Sequence, residues 1–293
     1  SSFFFFLLST IKKKRLNMIS QLFETQDHTA KYRQHRPDYP QQVFEHIKNF
    51  CFTDTSIEQK LPLAVDVACG SGQATVELSK FCDRVIGIDI SANQIANATR
   101  KENIEYRCQA AEDLSFLLSN SVDLITIATS LHWLDIETFM TEVKRVLKPN
   151  TGILAVWTYG IGALDNPKAD AIYLEFNQIT LFSYSNSKRW LVDDYYQSLL
   201  PLFPYKQSRI QHTIEQRIST TIEQFLGFVQ TLSACQTYRQ QHGEQAYEDL
   251  LANFREKLIH SFENNSRRNK SDDVNRISFT ISNPIRLYLM RKQ

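Results

Sequence analysis

The stretch Val65-Asp66-Val67-Ala68-Cys69-Gly70-Ser71-Gly72-Gln73-Ala74-Thr75 constrains this chain more than any other. Leu63 to Val67 reads as a buried strand, because a short unbroken apolar run before turn residues suits a strand covered on both faces. A glycine-bearing turn follows, then a helix with Ala74, Leu78 and Phe81 on one side. Arg84 to Asp89 is a second strand that closes on an acid. Glycine reaches φ values forbidden to other residues and lets backbone approach a ligand closely. An acid at the end of the next strand suits bidentate hydrogen bonding to ribose hydroxyls. Strand, turn, helix, strand and acid in that order point to an adenosine-containing cofactor.

The same rhythm continues. Ser91 is placed to cap a helix with Ala92, Ile95 and Ala96 on its inner face. Ile104 to Cys108 is a third strand, polar enough for a sheet edge, and Val122 to Ala128 is a fourth. A helix then aligns Phe139, Val143, Val146 and Leu147, and Lys148-Pro149-Asn150 ends it before a fifth strand, Ile153 to Trp157. Strands alternating with helices specify an α/β fold with a parallel sheet and helices on both faces. Beyond Thr158 the pattern predicts helices over 169–181, 221–230 and 244–262, the second opened by a capping box at Thr220 to Glu223. A polar stretch, 264–275, reads as a solvated loop; Ile277 to Ile281 and Ile285 to Met290 read as strands.

Residues 161–274 are thus expected to be a strand and helical lid inserted between a core at 61–160 and a strand at 275–293 that completes the sheet. Residues 18–60 are expected to form an N-terminal cap. Phe3 to Leu8 followed by Lys12-Lys13-Lys14-Arg15 reverses the order of a secretory signal and is too short to span a bilayer. Residues 1–17 are therefore expected to be a flexible leader, with the functional protein starting near Met18.

Lys and Arg total 33 against 32 Asp and Glu, so global charge gives no reason to expect nucleic acid or an anionic membrane as partner. The five cysteines are scattered and never spaced Cys-x-x-Cys, which argues against a zinc ribbon or disulfide framework and for a reducing, cytoplasmic setting. No His and carboxylate cluster stands at metal-ligand spacing.

A dinucleotide site wants a third small residue where Thr75 stands. The other template is an acid followed by small residues two, four and six places later, met by Asp66, Ala68, Gly70 and Gly72. This resembles the first motif of class I S-adenosylmethionine-dependent methyltransferases. Gln109 to Leu114 is similar to the family's adenine-contacting segment, Thr129 to Asp135 to the segment facing sulfonium and acceptor, and Val143 to Gly152 to the helix and turn before strand five. Phe23, Ala30, Tyr32 and Arg33 before Arg36-Pro37-Asp38-Tyr39-Pro40, Ile222 to Gly227 with Thr231 to Ala234, and Leu287 to Lys292 resemble the trans-aconitate and cantharidin-resistance branch.

The resemblance implies a Rossmann-like, seven-stranded, mostly parallel sheet with an antiparallel strand near its C-terminal edge. It implies S-adenosylmethionine as cofactor and direct transfer to a small-molecule acceptor, a carboxylate being one candidate. The cofactor set it implies is Tyr32, Arg36, Asp66, Ala68, Cys69, Gly70, Gly72, Gln73, Asp89, Ile90, Ala111, Glu112 and Thr129. His132 is the candidate base, with packing or substrate shaping as its alternative, since a carboxylate acceptor needs no base. Trp133, Trp157 and Tyr159 are candidate substrate walls, and Arg36 suits either the cofactor's carboxylate or an acidic acceptor. Two rivals remain: an NAD-dependent oxidoreductase and a non-catalytic adenosine-binding protein. Thr129-Ser130-Leu131-His132 lacks the Pro-Pro-aromatic pattern of amino-methylating nucleic-acid enzymes.

Overall fold

The computed structural model describes residues 35–52, 59–263 and 277–293. The expected leader, Phe23, Ala30, Tyr32, Arg33 and the polar stretch 264–275 lie outside the described residues. A seven-stranded sheet runs β3-β2-β1-β4-β5-β10-β7. Its strands are β1 (Leu61–Val67), β2 (Cys82–Asp89), β3 (Ile104–Cys108), β4 (Leu124–Ala128), β5 (Ile153–Tyr159), β7 (Ile210–Ile214) and β10 (Ile285–Arg291). The first five pair in parallel, whereas β10 lies antiparallel to both β5 and β7. The alternating pattern specified the five parallel strands, and the resemblance implied the Rossmann-like, mostly parallel sheet of seven that they form with β7 and β10.

Helices cover both faces. Val43, Phe44 and Ile47 of α1 (Gln41–Cys51) join Ala74 and Leu78 of α2 (Gln73–Leu78) against one face; Phe139, Met140, Val143 and Val146 of α4 (Ile136–Val146) bury against the other. Each such side chain withdrawn from water contributes roughly 1.5–3 kcal/mol. A third apolar cluster lies in the insertion, where α5 (Pro167–Glu175), α7 (Ile222–Gln230), α8 (Ser233–His242) and α9 (Glu244–Glu263) gather Tyr173, Phe225, Cys235 and Phe254.

Three local expectations are corrected. The helix capped by Ser91, α3 (Ala92–Ala96), buries Gln94 and leaves Ala92 and Ala96 exposed. Ser91 accepts from Gln94 N, which fixes the phase of a helix too short to offer a stripe. The capping box sits one residue later than expected, with Thr221 and Gln224 bonding each other's amides. Thr220 is still inside β8 (Arg217–Thr221), paired with Phe279, so the helix starts after it. The stretch after Ile277 does not join the main sheet. It forms β9 (Ser278–Ser282), the middle of a separate three-stranded sheet with β6 (Ala163–Leu164) and β8. Pro284 follows, which has no amide to continue the ladder, and β10 begins beyond it.

Candidate functional site

At the carboxyl end of β1 the chain turns through Ala68 (φ 52), Gly70 (φ 55) and Gly72 (φ 90). Left-handed backbone costs a residue with a Cβ on the order of 1–2 kcal/mol, so Ala68 is a strained position, which its small size does not reveal. Asp66 anchors the turn from below. Its buried carboxylate accepts from Thr75 Oγ1 at 2.6 Å on α2 and from Thr126 Oγ1 at 2.7 Å on β4. Thr75, the residue out of place for a dinucleotide, is thus the partner of the motif's own acid.

Burial raises the Asp66 carboxyl to about 6 against the two threonine bonds that lower it. A folded-state pKa above the unfolded value of about 4 means that the folded chain takes up the proton first. Asp66 therefore costs stability above pH 6, and that cost lifts as pH falls toward 4. Between about pH 7.5 and about pH 5 the protein is expected to gain roughly 1–1.5 kcal/mol relative to Asp66→Asn in urea unfolding. Parallel stability curves for the two proteins would remove the ionised acid from this account.

Asp89 at the end of β2 accepts from Gly70 N at 2.9 Å and Ser91 N at 2.8 Å. Desolvation pushes its pKa up, opposed by these amides and that of Ile90. Burial, with Asp89 and Asp66 nearby, pushes the Cys69 thiol up, so Cys69 fills space and is no nucleophile. A cleft with about 1730 Å³ of empty space, its open mouth included, spreads over these residues.

Arg36, Asp66, Ala68, Cys69, Gly70, Gln73, Asp89, Ile90, Ala111, Glu112, Thr129, His132, Trp133 and Tyr159 all line this cleft. Gly72 and Trp157 do not. A Cβ at Gly72 would meet the Tyr106 hydroxyl, so this glycine lets α2 start beneath Tyr106 and does not face the cleft. Trp157 is fully buried, edge-on to Tyr39 at 5.4 Å and to Phe44 at 6.2 Å. It shares a strand face with Tyr159, but two positions further in, where α1 covers it. The substrate-wall expectation for Trp157 is therefore corrected to core.

On the opposite wall Thr129 is left-handed (φ 47), a costly conformation for a β-branched residue. Strain at the ends of two adjacent strands, at Ala68 and Thr129, clusters where ligands bind such sheets. His132, in a 3₁₀ turn over Leu131–Trp133, stacks obliquely beside Trp133 and meets the Tyr196 hydroxyl through Nδ1 at 3.0 Å. Burial, then Arg189 and Lys188, lowers its pKa to about 3, so the ring is neutral at physiological pH. Arg36 donates from Nε to Thr231 Oγ1 at 2.8 Å and from Nη1 to Tyr159 Oη at 2.9 Å, and lies over the Phe228 ring. It thereby ties the segment before α1 to β5 and to the junction of α7 and α8.

The sequence reading passed over Ser71, Gln94, Arg189 and Thr231, which also line the cleft. Ser71 stood inside the motif, and Gln94 stood at the one inward position that Ser91 leaves. Arg189 lies in an aperiodic stretch of the insertion that carries no signal, and Thr231 stands only at the head of a segment resembling the branch, with no site role attached. A Tyr-x-x-x-Lys spacing, which would favour hydride transfer, is also present at Tyr184 and Lys188. Tyr184 Oη bonds His242 and Lys188 Nζ reaches Leu134 O, and neither lines the cleft.

Among the described residues, buried Ser71 Oγ, Gln94 Oε1 and Thr129 Oγ1 have no hydrogen-bond partner. Buried polar atoms without partners are costly, and these three surround the turn between Asp66 and Asp89. They fit a ligand rich in hydroxyl, amino and carboxylate groups, as S-adenosylmethionine is.

A family model described as a methyltransferase domain matches residues 65–156. A Dictyostelium discoideum protein named as a methyltransferase is 32% identical over 246 residues, covering 83% of this chain and 88% of that protein. The Saccharomyces cerevisiae protein CRG1, named as an S-adenosylmethionine-dependent methyltransferase, is 30% identical over 156 residues, or 50% of this chain and 51% of its own. A solved structure described as a type II methyltransferase from Anaeromyxobacter dehalogenans superposes with a TM-score of 0.69 at 27% identity, covering 87% of this chain and 97% of that one. With the cofactor turn, its supporting acids and the sheet order in place, the chain belongs to the class I S-adenosylmethionine-dependent methyltransferases and is an enzyme of that family.

Proposed function

We propose that the chain methylates a small-molecule carboxylate, in the manner of the trans-aconitate and cantharidin-resistance branch that its cap, lid and C-terminal segments resemble. One observation carries this reading. Among the described residues that line the cleft, the acids Asp66, Asp89 and Glu112 all stand at the cofactor end, whereas the acceptor end holds the guanidinium groups of Arg36 and Arg189 and a neutral imidazole. Two guanidinium groups at one end of the cleft favour an anion there, and Arg189 shares its charge with Asp193, 3.4 Å from its Nε. The 30% likeness to CRG1 and the five free cysteines, suited to a reducing cytoplasmic setting, are consistent with it.

The bound cofactor supplies an activated methyl group on a sulfonium. Asp89 would hold its ribose, Gln94 and Ser71 would take its remaining polar groups, and Ala111 with Glu112 would border its base. Glu112 is itself fixed by Asp135 N on Oε1 at 2.8 Å. Arg36, Arg189 and His132 orient the acceptor, and Trp133 and Tyr159 exclude water around it, so that positioning supplies most of the rate. A carboxylate is already ionised at neutral pH and needs no proton removed.

Incubation with methyl-labelled cofactor and a metabolite extract, followed by mild alkali, tests the reading. Label released as volatile methanol is expected, because methyl esters hydrolyse where methyl ethers and methylamines survive. Label that stays with an alkali-stable product would sink the carboxylate assignment while leaving the enzyme class intact.

A further inference from the structure

Tyr196 is wholly buried behind the cleft wall, in left-handed backbone (φ 61) just after α6 (Trp190–Asp193). Such a conformation costs a non-glycine residue on the order of 1–3 kcal/mol and persists where surrounding contacts enforce it. The contact enforced here is its hydroxyl, 3.0 Å from Nδ1 of His132. Either group can donate, and the surroundings decide which does.

Among the described residues the Tyr196 hydroxyl makes one hydrogen bond, the contact with His132 Nδ1. A phenol has two lone pairs and one proton. Were the oxygen to accept from Nδ1–H, its own proton would be buried without an acceptor, whereas donation to the more basic imidazole nitrogen satisfies it. The Thr158 hydroxyl lies near it but makes no hydrogen bond among the described residues. His132 Nδ1 is then the acceptor.

We propose that Tyr196 donates to Nδ1 and so fixes His132 as the tautomer protonated at Nε2, which makes His132 a hydrogen-bond donor to the methyl acceptor and not a base. His132 lines the cleft and its Nδ1 is turned to Tyr196, which leaves Nε2–H as the end facing the acceptor. A protonated Nε2 has no lone pair with which to take a proton. It offers instead a neutral donor to an anionic oxygen, the same demand that Arg36 and Arg189 meet by charge. The inference deepens the carboxylate reading and rests on it for the identity of the accepting oxygen. Burial with Lys188 and Arg189 nearby also keeps a second proton off the ring. Tyr196 does not line the cleft, so it is a positioning residue, acting through His132.

The tautomer is read directly from ring ¹⁵N shifts of the full chain labelled with ¹⁵N-histidine, without cofactor or acceptor. His132 is assigned by the signal lost in His132→Gln. A bare Nδ1 and a protonated Nε2, with no titration between about pH 5 and about pH 8, are expected. A bare Nε2, an equal mixture of tautomers or an imidazolium in that range overturns the proposal. Tyr196→Phe is expected to mix the tautomers; an unchanged tautomer there removes Tyr196 from the device. Should that variant not fold, the unsubstituted protein's shifts still decide. Because this readout needs no acceptor, it can fail while alkali-labile methylation is still found, and the reverse.

Discussion

Asp89→Ala is expected to weaken binding of S-adenosylhomocysteine by about 10²–10³-fold, measured by titration calorimetry. The Asp89 carboxylate has about four acceptor positions. Gly70 N and Ser91 N occupy part of that capacity, and the rest faces the cleft it lines. Hydrogen bonds to a charged group contribute roughly 1.5–3 kcal/mol each; at the lower end of that range, fitting an open cleft that water re-enters, losing two ribose hydroxyls costs about 3–4 kcal/mol, which is that fold-change. Alanine also releases Gly70 N, and with it the turn that must approach the ligand. Asp89→Asn keeps the size and one acceptor oxygen, and a loss of about tenfold is expected. Unchanged affinity in the alanine variant would remove Asp89 from the site.

The sheet was legible because it obeys two local rules. Buried parallel strands read as apolar runs, and each crossover needs a helix whose stripe repeats every three or four residues. Val122 to Ala128 and Phe139 to Leu147 satisfy both without help from distant residues. The strand β7 was not legible, since Ile210-Gln211-His212-Thr213-Ile214 is an exposed edge that buries little beyond Ile214. Nor was the second sheet, whose strands come from three separated parts of the insertion and C-terminus.

The site divides in the same way. Its cofactor end is built from consecutive residues at strand ends, so Asp66, Gly70 and Asp89 could be named from spacing. Its acceptor end is assembled from the segment before α1, the start of α6 and the junction of α7 and α8. Arg189 and Thr231 meet Arg36 and His132 across more than one element, and no periodicity records such a meeting. Trp157 shows the converse error. Its place near the end of β5 was read correctly, but burial by Tyr39 and Phe44 is a tertiary fact.

Sequence alone left Arg36 two roles, at the cofactor's carboxylate or at the acceptor's, and the proposed function takes the second. Its guanidinium is held from the side of Thr231 and Tyr159 and lies over Phe228, which the carboxylate reading assigns to the acceptor. Arg36→Ala is therefore expected to lower kcat/KM for the carboxylate acceptor by about 10²–10³-fold, the scale of a lost charge-assisted pair. Affinity for S-adenosylhomocysteine should change by less than about fivefold. Arg36→Lys should recover little, because one ammonium cannot meet the Thr231 hydroxyl and the Tyr159 hydroxyl with the geometry of a planar fork. A fall in cofactor affinity as large as the fall in kcat/KM would reassign Arg36 to the cofactor. Recovery by lysine would instead mean that charge alone suffices, and that the bridge from the segment before α1 to Thr231 is not what aligns the acceptor.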